Sequence, residues 1–149
     1  MTTTTTRIDV ERAAPELYRA MLRLDGAVGK SGLDPQLQDL LKFRVAQMNG
    51  CAYCMDMHSR DAVTGGERPE RLYVVAGWRE AGDLFDERER AALALMEEMT
   101  EIADHGVSEA VYDAAAEHFS EAELAALIFL NMTINAWTRL GVTAKLTPS

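Results

Sequence analysis

The chain has 149 residues, 48% hydrophobic and 26% charged, with a formal net charge of −9. That length and apolar content suit one folded domain and exclude a disordered chain. The acidic balance argues against nucleic acid or an anionic membrane as partner, because the long-range field repels both.

The first six residues are a threonine run without the apolar core of a signal peptide. Residues 1–7 are therefore expected to form a flexible tail and residues 8–149 a single helical domain, with the cytoplasm as its compartment. Helical spacing begins in the stretch 10–28, where Leu17, Met21, Leu24 and Val28 recur every three or four residues. Pro15 suits a first turn, so the helix is expected to start near Ala14. Lys30-Ser31-Gly32 breaks it, and Asp34 as N-cap with Pro35 at the first position restarts a helix to about Met48. Asn49-Gly50 reads as a left-handed stop. A third helix is expected from near Cys51 to about Thr64, ended by Gly65-Gly66.

A short helix is predicted over 69–81 with Leu72, Val75 and Trp78, and a strong one over 86–102 with acids in its first turn. Ser108 caps a helix over 108–119. Ser120-Glu121-Ala122-Glu123 resembles a capping box and opens a long helix to about Leu140. With no alternating strand, hairpin signal or internal repeat, the fold class is all-α. The longest apolar stretch, around 124–130, is far short of the roughly 20 residues a membrane span requires. The last helix carries Leu124, Leu127, Ile128, Phe129, Leu130, Met132, Ile134 and Trp137, on more than one face. Such a helix is central to its fold or buried between subunits. A homo-oligomer is expected, with a central helix in a monomer as the competing reading.

The chemistry concentrates in Asn49-Gly50-Cys51-Ala52-Tyr53-Cys54-Met55-Asp56-Met57-His58, which holds both cysteines of the chain and one of its three histidines. At roughly 100° per residue on a helix, Cys51, Cys54 and His58 share one face. Two thiols one turn apart can close a disulfide, and an imidazole one turn beyond can exchange a proton with the second. Only the thiolate is a good nucleophile, and a helix N-terminus favours it. A close pair in a reducing cytosol is more often catalytic or metal-binding than a structural staple. Two other readings stay open: a pair of small buried hydrophobes, or zinc ligation with Asp39, His105 or His118 as a fourth ligand. His105, before Gly106 at a helix end, reads as structural, and Tyr53 as packing. Met48, Met55 and Met57 read as flexible core packing, or as an apolar channel for an organic hydroperoxide that Trp78 and Trp137 could line.

The run from Leu40-Leu41-Lys42-Phe43-Arg44 through Cys51-Ala52-Tyr53-Cys54 to His58 resembles the AhpD-like alkylhydroperoxidase family of the carboxymuconolactone decarboxylase superfamily. Arg71-Leu72-Tyr73, Trp78-Arg79-Glu80, the stretch 87–92 and Ile134-Asn135-Ala136-Trp137-Thr138-Arg139-Leu140 continue the similarity, so it covers about 8–140 with a redox core of about 20–105. The resemblance implies a helical protomer in dimers, trimers or hexamers that reduces hydroperoxides with a redox-active disulfide and no other cofactor. It assigns Cys54 as nucleophile, Cys51 as resolving thiol and His58 as base, with Asp39 at the position of the family's relay glutamate. The reductant it implies is a lipoylated or thioredoxin-like protein or a small thiol. Two positions depart from the pattern. Asp39 is one methylene shorter than glutamate, and Tyr53 stands where better-known peroxidases have histidine. The competing function is a non-enzymatic redox sensor or assembly protein switched by the Cys51–Cys54 disulfide.

Overall fold

A computed structural model describes residues 6–148. Among them all regular structure is helical, with no strand. The order is α1 (Val10–Ala13), α2 (Pro15–Gly29), α3 (Pro35–Met48), α4 (Ala52–Thr64), α5 (Pro69–Val74), 3-10 turns over Val75–Glu80 and Gly82–Leu84, α6 (Glu87–Thr100), α7 (Ile102–His105), α8 (Glu109–His118) and α9 (Glu121–Ala144). Of the expected tail, residues 1–5 lie outside the described residues. Arg7 is tied to the end of α9, its backbone N–H donating to Ala144 O at 2.8 Å.

The helix starts follow their capping residues. Asp34 accepts from the Leu37 N–H and Ser108 from that of Val111. Asp86 with Glu89, and Ser120 with Glu123, close reciprocal capping boxes. Each satisfies N–H groups that a helix start leaves without a partner.

Two helix ends fall elsewhere than expected, and one apolar stripe stays exposed. The helix predicted over 69–81 ends at Val74, and non-helical Gly77 (φ −106°, ψ 28°) interrupts the 3-10 turns beyond it. Glycine costs a helix about 1 kcal/mol relative to alanine. Breaking there lets Trp78 turn inward, where its indole N–H donates to Glu97 at 2.9 Å. The apolar stripe of α2 is not a core face. Leu17 is 73% exposed and Leu24 41%, and Val28 alone of the four is buried. Finally, α9 continues past Leu140 to Ala144 and stops at Lys145, in the left-handed region at φ 57°.

α3 packs against α4, α6 and α9 at the centre of the molecule. Leu40, Leu41 and Val45 of α3 meet Leu93, Leu95 and Met96 of α6 and Leu127, Leu130 and Ile134 of α9, all essentially inaccessible. Burying each such side chain contributes about 1.5–3 kcal/mol. Glu97 brings a charge into this core. Burial alone would raise the Glu97 carboxyl, but hydrogen bonds from Arg79, Trp78 and Arg44 outweigh it and hold the group below its ordinary value. The two guanidinium contacts are 2.6 Å from Arg79 and 2.8 Å from Arg44.

Candidate active site

The loop between α3 and α4 is set by hydrogen bonds that glycine permits. Gly50 takes φ +64°, its N–H donates to Gln47 O, and the Cys51 N–H donates to Ala46 O at 3.1 Å. This is a Schellman ending, which closes one helix and aims the chain into the next. Cys51 is thereby both the last residue of that motif and the N-cap of α4, with extended backbone (φ −87°, ψ 92°). It lies one position outside the helix rather than on its face, so helical rotation alone does not describe the pair. Asn49 anchors the loop to α9, donating at 2.9 Å to both Asn135 Oδ1 and Thr138 Oγ1.

Cys51 and Cys54 form a disulfide, with Cα atoms 5.3 Å apart. The Cys54 N–H also donates to Cys51 Sγ at 3.2 Å, as a cap does. Both residues are 2% exposed. Gly141 of α9 makes this fit possible: a Cβ there would stand 3.0 Å from Cys51 Sγ and 3.5 Å from Cys54 Sγ. A shallow cleft of about 230 Å³ borders Cys51, between Gly50 and Ala52 on one side and Gly141, Lys145 and Leu146 on the other.

His58 lies one turn beyond Cys54 on α4 and is buried. Neither of its ring nitrogens has a hydrogen-bond partner. Burial lowers its pKa, helped by the positive charge of Lys42 on α3, to about 4. The ring is therefore neutral at neutral pH. Asp61 of α4, one turn further on, brings Oδ2 within 4.0 Å of Nδ1. Asp39 is half-buried on α3 and does not hydrogen-bond the ring. Its Oδ2 sits against Gly65, 3.7 Å from where a Cβ would stand. Burial raises its pKa, Lys42 opposes this and Asp61 adds to it. Asp39, Lys42 and Asp61 thus share one charged patch at the edge of the His58 pocket.

The other histidines lie elsewhere. The exposed His105 ring bonds Gly106 O and Glu101 at the end of α7, and His118 ends α8. No group of three or more Cys, His, Asp and Glu among the described residues could hold a metal ion. Met55 packs against the cysteine pair and also lines an apolar groove of about 600 Å³ with Phe43, Val63, Leu72 and Tyr73. Trp78 and Trp137 do not border that groove. Trp78 is buried against Glu97, and Trp137 stands edge-on to Tyr18, ring centroids 5.4 Å apart. Sequence reasoning missed Lys42, Asp61 and Gly141. Asp61 was open to inference, being three positions after His58 on one helix. Gly141 was not, because its role depends on how α9 packs.

The carboxymuconolactone decarboxylase family model matches residues 15–98. The YdfG protein of Bacillus subtilis (strain 168) is 35% identical over 136 residues, 91% of this chain and 92% of YdfG. A crystal structure from Agrobacterium tumefaciens superposes with a TM-score of 0.94 at 31% identity, covering 97% of this chain and 99% of that one. It is a protein of unknown function suggested to be the antioxidant defence protein AhpD. The fold extends to a peroxidase-related protein from Ralstonia eutropha JMP134, with a TM-score of 0.82 and 22% identity over 94% of this chain and 74% of that one. With over half its length matched by the family model, and 35% identity to a relative along nearly all of it, this chain belongs to the carboxymuconolactone decarboxylase family.

Proposed function

We propose that the chain is a thiol-dependent peroxidase of the alkylhydroperoxidase type, cycling the Cys51–Cys54 disulfide. The observation that carries this reading is the bonded pair at the α4 N-terminus, with the buried, unpartnered His58 ring one turn beyond. In the reduced protein His58 takes the Cys54 proton. The thiolate attacks the hydroperoxide, forming an S–O bond as the O–O bond breaks. The alcohol leaves with the proton that His58 held. Cys51 then attacks the sulfenic sulfur, water leaves and the disulfide returns. A dithiol or a thioredoxin-like or lipoylated protein reduces it, with Cys51 as the point of exchange because the cleft borders Cys51. No cofactor beyond the disulfide is needed, and a reducing cytoplasm supplies the thiols. Asp39 serves as the distal carboxylate of the proton path.

Self-association is part of the proposal. Ile128, Phe129 and Met132 on α9 and Ile102 on α7 are exposed apolar side chains, of the kind that a second subunit covers. No helix among the described residues is long and apolar enough to cross a membrane.

The test is peroxide turnover with dithiothreitol as reductant. Cys54→Ser is expected to abolish it. Cys51→Ser, reduced and then freed of dithiothreitol, is expected to undergo one peroxide-driven event and leave a sulfenic acid that dimedone labels. Turnover that survives Cys54→Ser would overturn the reading. The close packing of Gly141 on both sulfurs favours a second reading, in which the disulfide is a switch read through α9. That reading predicts single-turnover oxidation with a change in oligomer size.

A further inference from the structure

An imidazole that burial keeps neutral is a poor acceptor for a thiol proton. The reduced site therefore needs a group that favours the imidazolium. Two carboxylates are candidates. Asp39 is not within hydrogen-bonding reach of the ring. Asp61 stands 4.0 Å from Nδ1, on the same helix and one turn away. Its side chain is 59% exposed, so it is free to rotate, while the ring is confined. Closing to a hydrogen bond requires a movement of about 1 Å.

We propose that Asp61 is the positioning carboxylate of this site: it closes on His58 Nδ1 when Nε2 takes the Cys54 proton. The pair then reads as an S–H proton moving to Nε2 while the Nδ1–H donates to Asp61 Oδ2. Fixing Nδ1 as the donor leaves Nε2 as the base. Lys42 on α3 acts against the imidazolium, and the charge of Asp61 adds to the burial that raises the Asp39 carboxyl. In the disulfide state, with no thiol proton to move, Asp61 stays open and burial prevails. This inference rests on the thiol-exchange reading above only for its catalytic half. The pairing itself is a property of the folded chain.

The experiment follows the His58 ring by NMR across pH in the full-length protein, reduced and oxidised, for wild type, Asp61→Asn, Asp61→Glu and Asp39→Asn. Oxidation of the reduced proteins by cumene hydroperoxide is timed in parallel. Asp61→Asn is expected to lower the His58 midpoint in the reduced protein by about half a pH unit and slow oxidation at pH 7 by about threefold, the scale of an exposed pair. Asp61→Glu is expected to restore both, and Asp39→Asn to move the midpoint less. An unchanged midpoint in Asp61→Asn, or a larger fall in Asp39→Asn, would overturn the assignment. A lowered midpoint with unchanged oxidation would overturn the positioning role. Wild-type protein inert to the peroxide, with the midpoint still lowered by Asp61→Asn, would uphold the pairing and remove the peroxidase reading instead.

Discussion

Gly141 shows how closely the sulfurs are enclosed. It lies in α9, remote in sequence from the α4 pair, yet a methyl group at its Cα would meet Cys51 Sγ at 3.0 Å. Helix propensity favours almost any residue over glycine there. Overpacking of a full site typically costs 1–3 kcal/mol. Gly141→Val is therefore expected to lower the stability of the oxidised protein by about 1–3 kcal/mol, measured by urea unfolding with the disulfide intact. Stabilisation would contradict the packing described. The disulfide pair and the buried histidine beside it were legible at this scale because Cys51, Cys54 and His58 are rare residue types in one short run. Their charged neighbours were not. Aspartates abound in this acidic chain, Lys42 stands nine positions before Cys51, and only the packing of α3 on α4 brings Asp39 and Lys42 to the side of His58 and Asp61.

At the level of elements, local chemistry placed the helices well. Asp34, Ser108 and Ser120 cap where their sequence context indicates, and Asp86, expected as the first residue of its helix, is the N-cap of α6. Asn49-Gly50 stops α3 and, in the same turn, starts α4 on Cys51. The misses have tertiary causes. Periodicity in α2 marks an apolar face, but it does not say what covers that face. The break after Val74 follows from seating Trp78 against Glu97, a contact between distant segments. Glu97 joins α3, α6 and the 3-10 turn through Arg44, Trp78 and Arg79. Removing one partner of a buried ion pair costs about 3–5 kcal/mol. Because Arg79 is 57% exposed and can regain solvent, Glu97→Ala is expected near the lower end, about 3 kcal/mol. A denaturant midpoint that does not move would show that the cluster does not stabilise the fold.

Across the whole molecule, the buried ring couples stability to pH. The folded His58 pKa of about 4 lies below its ordinary 6.5. Between those values the unfolded chain binds a proton that the folded ring refuses. The stability is thus complete above about pH 6.5 and lost as pH falls toward 4, by about 3 kcal/mol from this group. His58→Phe is expected to flatten that part of the stability profile of the oxidised protein. Parallel profiles for the two proteins would mean that the ring is not held neutral. The exposed apolar side chains of α9 and α7 belong to this scale too, as the surface on which the proposed self-association rests.

The proposed function turns on whether the α4 pair is a peroxide-reactive dithiol. The direct measurement is free-thiol counting on reduced wild type and Cys54→Ser, before and after one equivalent of cumene hydroperoxide. The wild type is expected to lose two thiols per chain within seconds, and the variant to retain its Cys51 thiol. Wild-type thiols that remain free would contradict that function.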